Sequence, residues 1–383
     1  MDALSTAESF KQQIQARSDA IESAQRMPQD LAQEMAGAGM FRILVPEVYG
    51  GAEVHPQTFF DCLVSTAEAD GAVGWVSMIA NTTSLLSASL PEDIARAMYA
   101  DHPDVITVGV TAPIGRATHT EDGGLQVTGR WPFGSGSQVA DWICGGCLVE
   151  ENGEVRKNKY GAPENLLVFF PAEEVTIHSD TWQTSGLRGT GSHDIEVNGG
   201  CAPAGRWAII GQRPRIDTPL YRFPTLGLLA LGVSAVSIGI GQAALNSFIE
   251  LASDKTPTGS SRALANRPSV QKDVSQSFAD LAAAKALTTQ VIDEAWQAAN
   301  TDGRLSTDIK SRLRLAAANN TWSAVRAVDR LYHAGGGTSI YLESKLQKCF
   351  RDVHVTTQHI MVGQPIFEVV GKVQLGLDPK QPL

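Results

Sequence analysis

The sequence predicts an α+β protein built as three consecutive regions: helical, then β, then helical. Two observations carry this. Apolar residues recur at helical spacing up to about residue 103, switch to a period of two from Val105, and return to long Ala- and Leu-rich runs from about Tyr221. The middle runs are also short, β-branched and bounded by Gly, Pro, Asn or Asp, whereas the later ones are long and separated by brief turn signals. The predicted domains are 1–104, 105–215 and 216–383.

In the first region, Ile14, Ile21, Leu31, Met35 and Met40 mark a helical run that Gly37 and Gly39 end. FRILVPEVYGG then leads into a turn. Further helices are predicted over 58–70 and 75–90, and another starts at Pro91, with Glu92 and Asp93 suited to its positive end. In the middle region VITVGVTA, LQVTGRWPF, DWICGGCLV, NLLVFF, VTIH and HDIEVNG read as strands, with EDGG as a hairpin turn. Helices over 228–252, 269–300 and 307–334, with turns at KTPTGS, TDGR and AGGG, and a last helix near 342–362, read as a bundle.

Composition narrows the function. The chain has 383 residues, 43% hydrophobic and 19% charged, an ordinary globular balance. Its net charge of −10 opposes nucleic-acid binding, which needs a basic face. Five cysteines are too few and too scattered for a disulfide framework and suit a reducing cytoplasm. The N-terminus carries no apolar signal core. The uncharged stretch FPTLGLLALGVSAVSIGIG approaches the length of a membrane span, but its Gly, Ser and Ala content favours a buried helix, so no membrane is expected. Cys144 and Cys147 form a CxxC within a predicted buried strand. With no second ligand pair they are read as packing, and no metal is expected. Without a Rossmann or Walker fingerprint, NAD(P)H is not expected to bind here.

The order of these regions, together with FRILVPEVYGG, GRWPFGSGSQVADW, TWQTSGLRGTGSHDIEV and HAGGGTSIYLESKLQKCFRDVHVTTQHIMV, resembles the acyl-CoA dehydrogenase superfamily over nearly the whole chain. The resemblance implies an N-terminal helical domain, a central β-barrel or sandwich domain and a C-terminal four-helix bundle. Dehydrogenases of this fold need a carboxylate base to remove a proton beside a thioester. The two segments where the family places it read VTTQHIMV and TLGLLALGV here, without Asp or Glu. RWPFGSG, GLRGTGSHD and RDVHVTTQH instead resemble the oxygenase components of two-component flavin-dependent monooxygenases. That branch implies FAD in its reduced form (FMN being possible), O2, an NAD(P)H:flavin reductase as partner, a small aromatic or indole-like substrate and a homotetramer. An acyl-CoA dehydrogenase with a relocated base is the runner-up.

The same resemblance points to residues. Ser135 falls where the family sets a hydroxyl against the flavin's reactive edge, and a hydroxyl both donates and accepts. Ser137 is a second candidate, and Trp131 and Phe133 are expected beside the ring. His359 falls near the substrate, where an imidazole can exchange a proton; His193 is a weaker candidate, and His354 reads as solvated. Asn81, Thr82 or Thr83 stands near the place where related hydroxylases carry a second histidine, so the resemblance favours a substrate already electron-rich when neutral, such as indole. Arg262 and Gly335, Gly336 and Gly337 are the candidates for the cofactor's phosphates, since glycine lets backbone approach a phosphate closely.

Overall fold

The computed structural model describes residues 2–158, 161–210, 212–257, 259–301 and 305–383. The turn expected at 302–304 and parts of the loops around 159–160 and 258 lie outside the described residues.

The N-terminal region holds α1 (Ala3–Ala24), α2 (Gln29–Gly37), α3 (Pro56–Ala69), α4 (Gly71–Ser84) and the short α5 (Glu92–Ala95). The first predicted run is two helices. Gln25 adopts a left-handed conformation at the end of α1, and Pro28, which cannot continue a helix, precedes α2. Asp70 separates α3 from α4 and caps α4, accepting from Ala72 N at 2.8 Å and Val73 N at 3.1 Å.

The middle region is one mixed sheet of eight strands among the described residues: β1 (Thr107–His119), β2 (Leu125–Gly134), β3 (Trp142–Glu151), β4 (Glu154–Val155), β5 (Asn165–Pro171), β6 (Thr176–His178), β7 (His193–Ala202) and β8 (Trp207–Ala208). The order is β6-β7-β2-β1-β3-β5-β8, with β4 on β3. EDGG closes the expected β1–β2 hairpin, pairing His119 with Leu125. The sequence signals did not reveal that β1 and β3 run parallel. The crossover between them contains β2, which lies between β1 and β7, and the Ser135 turn that follows it, beside α4.

After α6 (Pro219–Arg222) come the bundle helices α7 (Thr225–Asp254), α8 (Pro268–Ala299), α9 (Thr307–Gly335), α10 (Lys345–Thr356) and α11 (Pro365–Gln374). The uncharged stretch lies in α7. That helix is long and apolar enough to cross a membrane, yet 83% of its most apolar window is buried inside the protein, as befits a central bundle helix. Its residues pack all round, which explains the small amphipathic signal. The expected last helix over 342–362 is a correction: α10 stops at Thr356, and residues 357–364 turn before α11 starts at Pro365. Trp322 of α9 holds this turn, donating from Nε1 to Val362 O at 3.2 Å. His359 therefore projects from a turn, and its direction does not follow helical geometry.

Candidate active site

Ser135 is buried where α4, the end of β2 and the loop before β7 meet. Trp75 of α4 donates from Nε1 to Ser135 Oγ at 3.2 Å. Ser135 Oγ lies 2.7 Å from Ser192 Oγ, which lies 2.6 Å from Thr190 Oγ1. Thr190 donates its one hydroxyl proton to Leu187 O at 2.8 Å. The direction of the whole string follows, because each hydroxyl has a single proton. Ser192 must donate to Thr190, and Ser135 must donate to Ser192. Ser135 is left with one free acceptor lone pair and no spare proton. It suits a ligand N–H.

Around it lie polar atoms with no partner. Ser137 Oγ, Gln138 Oε1 and Arg188 Nε are buried without hydrogen bonds. Next to them Phe133 is 65% exposed, held at a positive φ of 67° and edge-on to Trp182, centroids 6.3 Å apart. Trp182 is fixed by Nε1 donating to Arg188 O at 3.2 Å and by its N–H donating to His193 Nδ1 at 3.2 Å. An exposed aromatic ledge bordered by orphaned polar groups fits a flat ring with hydrogen-bonding edges.

His359 meets this cluster through Trp75, whose ring it approaches edge-on at 5.6 Å. Its Nδ1 accepts from Met361 N at 3.3 Å, which leaves the proton on Nε2. Burial, aided by the Arg314 guanidinium, pushes the imidazolium down to about 4. The ring is neutral at pH 7 and presents an N–H donor.

The other expected residues take different places. Trp131 is buried in the sheet core, donating from Nε1 to Gly146 O at 2.8 Å, and does not share the exposed face of Phe133. Its ring lies over Gly115, Gly129 and Gly145, where any added Cβ would come within 2.4–2.6 Å of it. Asn81 is wholly engaged: Oδ1 accepts from Ile43 N at 3.0 Å, and Nδ2 donates to Met40 O at 2.8 Å and Ser77 O at 2.9 Å. It ties α4 to the chain after α2 and has no group free for a ligand. Thr82 bonds back to Met78 O at 2.9 Å. His193 starts β7 and positions Trp182. His354 is not simply solvated, since its Nε2 pairs with Asp329 Oδ1 at 2.9 Å. Cys144 and Cys147 are buried thiols that burial pushes up to about 12, so they are inert at neutral pH. No group of three metal-ligating side chains occurs among the described residues.

Gly335, Gly336 and Gly337 sit apart from Ser135, at the far end of α9. Lys255 Nζ reaches Gly335 O at 2.8 Å and Thr338 Oγ1 at 2.6 Å, which draws the loop carrying the exposed Arg262 towards the glycines. Gly336, at a φ of 58°, and Gly337 have open space where a side chain would stand.

Sequence reasoning missed what holds the cluster together. Lys348 of α10 is buried between Asp70 (3.2 Å) and Asp352 (2.6 Å). Asp352 Oδ1 also accepts from Leu187 N at 2.6 Å, and Ser18 Oγ donates to Asp70 at 2.5 Å. Burial opposes the Lys348 charge, but the two carboxylates outweigh it and raise its pKa, so the ammonium stays charged. One ion cluster thus ties α1, α4 and α10 to the loop that presents Thr190 and Ser192. Beside it, a side chain at Gly186 would strike Arg351 O at 2.4 Å. The Arg-Asp pair and the glycine before Leu187 were the available signals.

The mixed sheet flanked by helical regions, with a hydroxyl string at their junction, defines a protein of acyl-CoA dehydrogenase architecture. The chain belongs to that family. Residues 3–92 match the acyl-CoA dehydrogenase N-terminal domain and residues 231–364 its C-terminal domain. It is 32% identical to an indole-3-acetate monooxygenase of Pseudomonas putida, covering 96% of this chain and 91% of that protein. It is 25% identical to the oxygenase component of an FADH(2)-dependent resorcinol hydroxylase of Rhizobium sp., covering 94% and 90%. Among solved structures, that of XiaF from Streptomyces sp. in complex with FADH2 and glycerol superposes with a TM-score of 0.88 at 24% identity, covering 99% of this chain and 96% of that one.

Proposed function

We propose that the protein is the oxygenase component of a two-component flavin-dependent monooxygenase acting on a small indole-like or phenolic aromatic substrate. The observation that carries this is the directed string Trp75–Ser135–Ser192–Thr190, with a neutral His359 beside it and, among the described residues, no carboxylate bonded to either Ser135 or His359. The relatives named indole-3-acetate monooxygenase and FADH(2)-dependent resorcinol hydroxylase support it. The cofactor is FAD in its reduced form, with FMN as the alternative, delivered by an NAD(P)H:flavin reductase.

Bound reduced flavin supplies the electrons and the place where O2 is activated. This chain positions it. Ser135 Oγ would accept a hydrogen bond from a ring N–H, Ser137 Oγ and Arg188 Nε are the unpaired groups that would meet polar edges, and Phe133 and Trp182 would cover an apolar flank. Arg262 and the Gly335–Gly337 turn take the phosphate-bearing tail. His359 donates from Nε2 to the substrate and stays neutral, so its proton is available without a competing salt bridge. The buried walls around Ser135 would keep water away from the reacting groups, as oxygenation chemistry requires. The assembly is a homotetramer in the cytoplasm. Ile340, Tyr341 and Leu342, three consecutive exposed apolar residues after the glycines, give a neighbouring subunit a surface to cover. Five free cysteines suit a reducing compartment.

The test is oxygen uptake with NADH, a generic flavin reductase and FAD, across indoles and phenols. A hydroxylated or epoxidised product formed in proportion to NADH supports the reading. Rapid anaerobic bleaching of oxidised flavin by an acyl-CoA, without aromatic turnover, would replace it with the dehydrogenase.

A further inference from the structure

Arg314 is the charged residue that the site above leaves unexplained. It lies in the first half of α9 and is 5% exposed. Its Nε has no hydrogen-bond partner, and among the described residues no carboxylate pairs with its guanidinium. The other strongly buried cations have partners: Lys348 has Asp70 and Asp352, and Arg42, although its Nε is also unpaired, donates from its terminal nitrogen to Tyr49 O and Tyr99 O, whereas no hydrogen bond reaches the Arg314 guanidinium among the described residues. An unmatched buried charge costs several kcal/mol in general, so a chain that keeps one holds it for a ligand.

Its placement says which ligand. Residues seven apart share a face of a helix, so Arg314 and Thr321 look the same way. Thr321 Oγ1 lies 3.0 Å from Ser237 Oγ, which donates to Thr356 Oγ1 at 2.9 Å. Thr356 ends α10, and three residues later comes His359. Arg314 therefore stands two turns earlier on the face of α9 that meets the departure of the His359 turn. Its charge acts on the His359 ring, whose other neighbour is the edge of Trp75 at 5.6 Å. A planar guanidinium in an enclosed, largely apolar setting matches a carboxylate through two parallel hydrogen bonds.

We propose that Arg314 receives the carboxylate of the substrate, and that the substrate is therefore an aromatic acid with a short acidic side chain, its ring lying towards His359 and Trp75. This rests on the monooxygenase reading above and narrows its substrate class.

The experiment compares indole-3-acetate with indole-3-acetamide, its neutral near-isostere, by calorimetry on the oligomeric protein with reduced FAD under anaerobic conditions. Wild type should bind the acid at least tenfold more tightly than the amide. Arg314→Met should weaken the acid by roughly 30-fold or more while leaving the amide nearly unchanged. Arg314→Lys should keep the preference in reduced form, and melting curves confirm that each variant is folded. Binding of the acid, not the amide, should also raise the His359 titration seen by NMR, because it neutralises the nearby guanidinium. Equal binding of acid and amide by wild type, or an Arg314→Met variant that keeps the preference, overturns the assignment while leaving the monooxygenase reading in place. Wild type that binds neither ligand overturns the assignment, and the monooxygenase reading then falls only if oxygen uptake across indoles and phenols also yields no product.

Discussion

Two buried charged regions lie on either side of the hydroxyl string, and they are built on opposite principles. In the Asp70–Lys348–Asp352 cluster every charge has a partner within 3.2 Å, and the helix α4 cap, the α10 helix and the Leu187 loop are fixed by it. Around Arg314 and His359 the one charge has no partner, and the imidazole is held neutral. Matched charge serves architecture; unmatched charge is kept in readiness for something that arrives. The hydroxyl string joins the two, since Thr190 bonds Leu187 O while Leu187 N bonds Asp352.

The matched side should be the more damaging to disturb. Lys348→Met leaves two carboxylates buried without a cation, which costs about 3–5 kcal/mol. Denaturant unfolding should show that loss, and Asp352→Asn in the same chain should recover part of it by removing one stranded charge. Recovery distinguishes electrostatic stranding from a packing defect, which a second substitution would not relieve.

The second effect is a pH dependence that belongs to the unmatched side. His359 titrates near 4 in the folded chain and near 6.5 when unfolded. Between those values the unfolded state binds a proton that the folded state does not. Stability is therefore unaffected above about pH 6.5 and falls as pH drops from there to about 4, by up to about 3 kcal/mol. The groups facing the ring are the Trp75 edge, the Arg314 guanidinium and the Met361 N–H, so no carboxylate among them reverses the sign. His359→Gln should flatten that part of the stability profile; an unchanged slope would mean that the ring is charged in the folded protein.

Ser135→Ala tests the string between the two regions. It leaves the Trp75 Nε1–H and the Ser192 hydroxyl without their partner, a loss of about 1–3 kcal/mol. Under the proposed function it should also raise the hydrogen peroxide released per NADH severalfold, while substrate still binds. Unaltered coupling would take Ser135 out of the chemistry and leave it as a structural joint.

The legible and illegible parts of the sequence divide along the same line. Helix and strand periods follow from local burial, so β1, β2 and α7 to α9 could be read from spacing, and GRWPFGSGS placed Ser135 at a turn. The partners of Ser135 could not be read. Trp75, Ser192 and Thr190 come to it because the end of β2 pairs with the start of β7 and the loop before β7 packs on α4. His359 was placed on a helix because VTTQHIMV has helical spacing, yet Trp322 of α9 captures Val362 O and holds the chain in a turn. Asn81 is a pocket candidate by resemblance alone, standing where related hydroxylases carry a histidine; its three backbone partners lie on α4 itself and on a segment some forty residues earlier in the chain. Arg314 had no signal at all. Its importance lies in a missing partner, and a missing partner is visible only in three dimensions.

That absence gives the smallest effect and the clearest contrast. Removing a charge that is largely buried, and that no carboxylate among the described residues offsets, relieves a cost instead of creating one. Arg314→Met, which keeps most of the side chain's length, should leave the ligand-free protein as stable as wild type or raise it by about 1 kcal/mol, opposite in sign to Lys348→Met. A saturating aromatic acid should then reverse the ranking. At a concentration about 100 times its dissociation constant, a ligand bound only by the folded state adds about 2.7 kcal/mol. Wild type would gain that and the variant little of it, so the two melting curves should cross as the acid is added. With indole-3-acetamide they should stay in order. Curves that never cross, with wild type the more stable throughout, would mean that the guanidinium has a partner in the folded chain and that the two regions are not built differently after all.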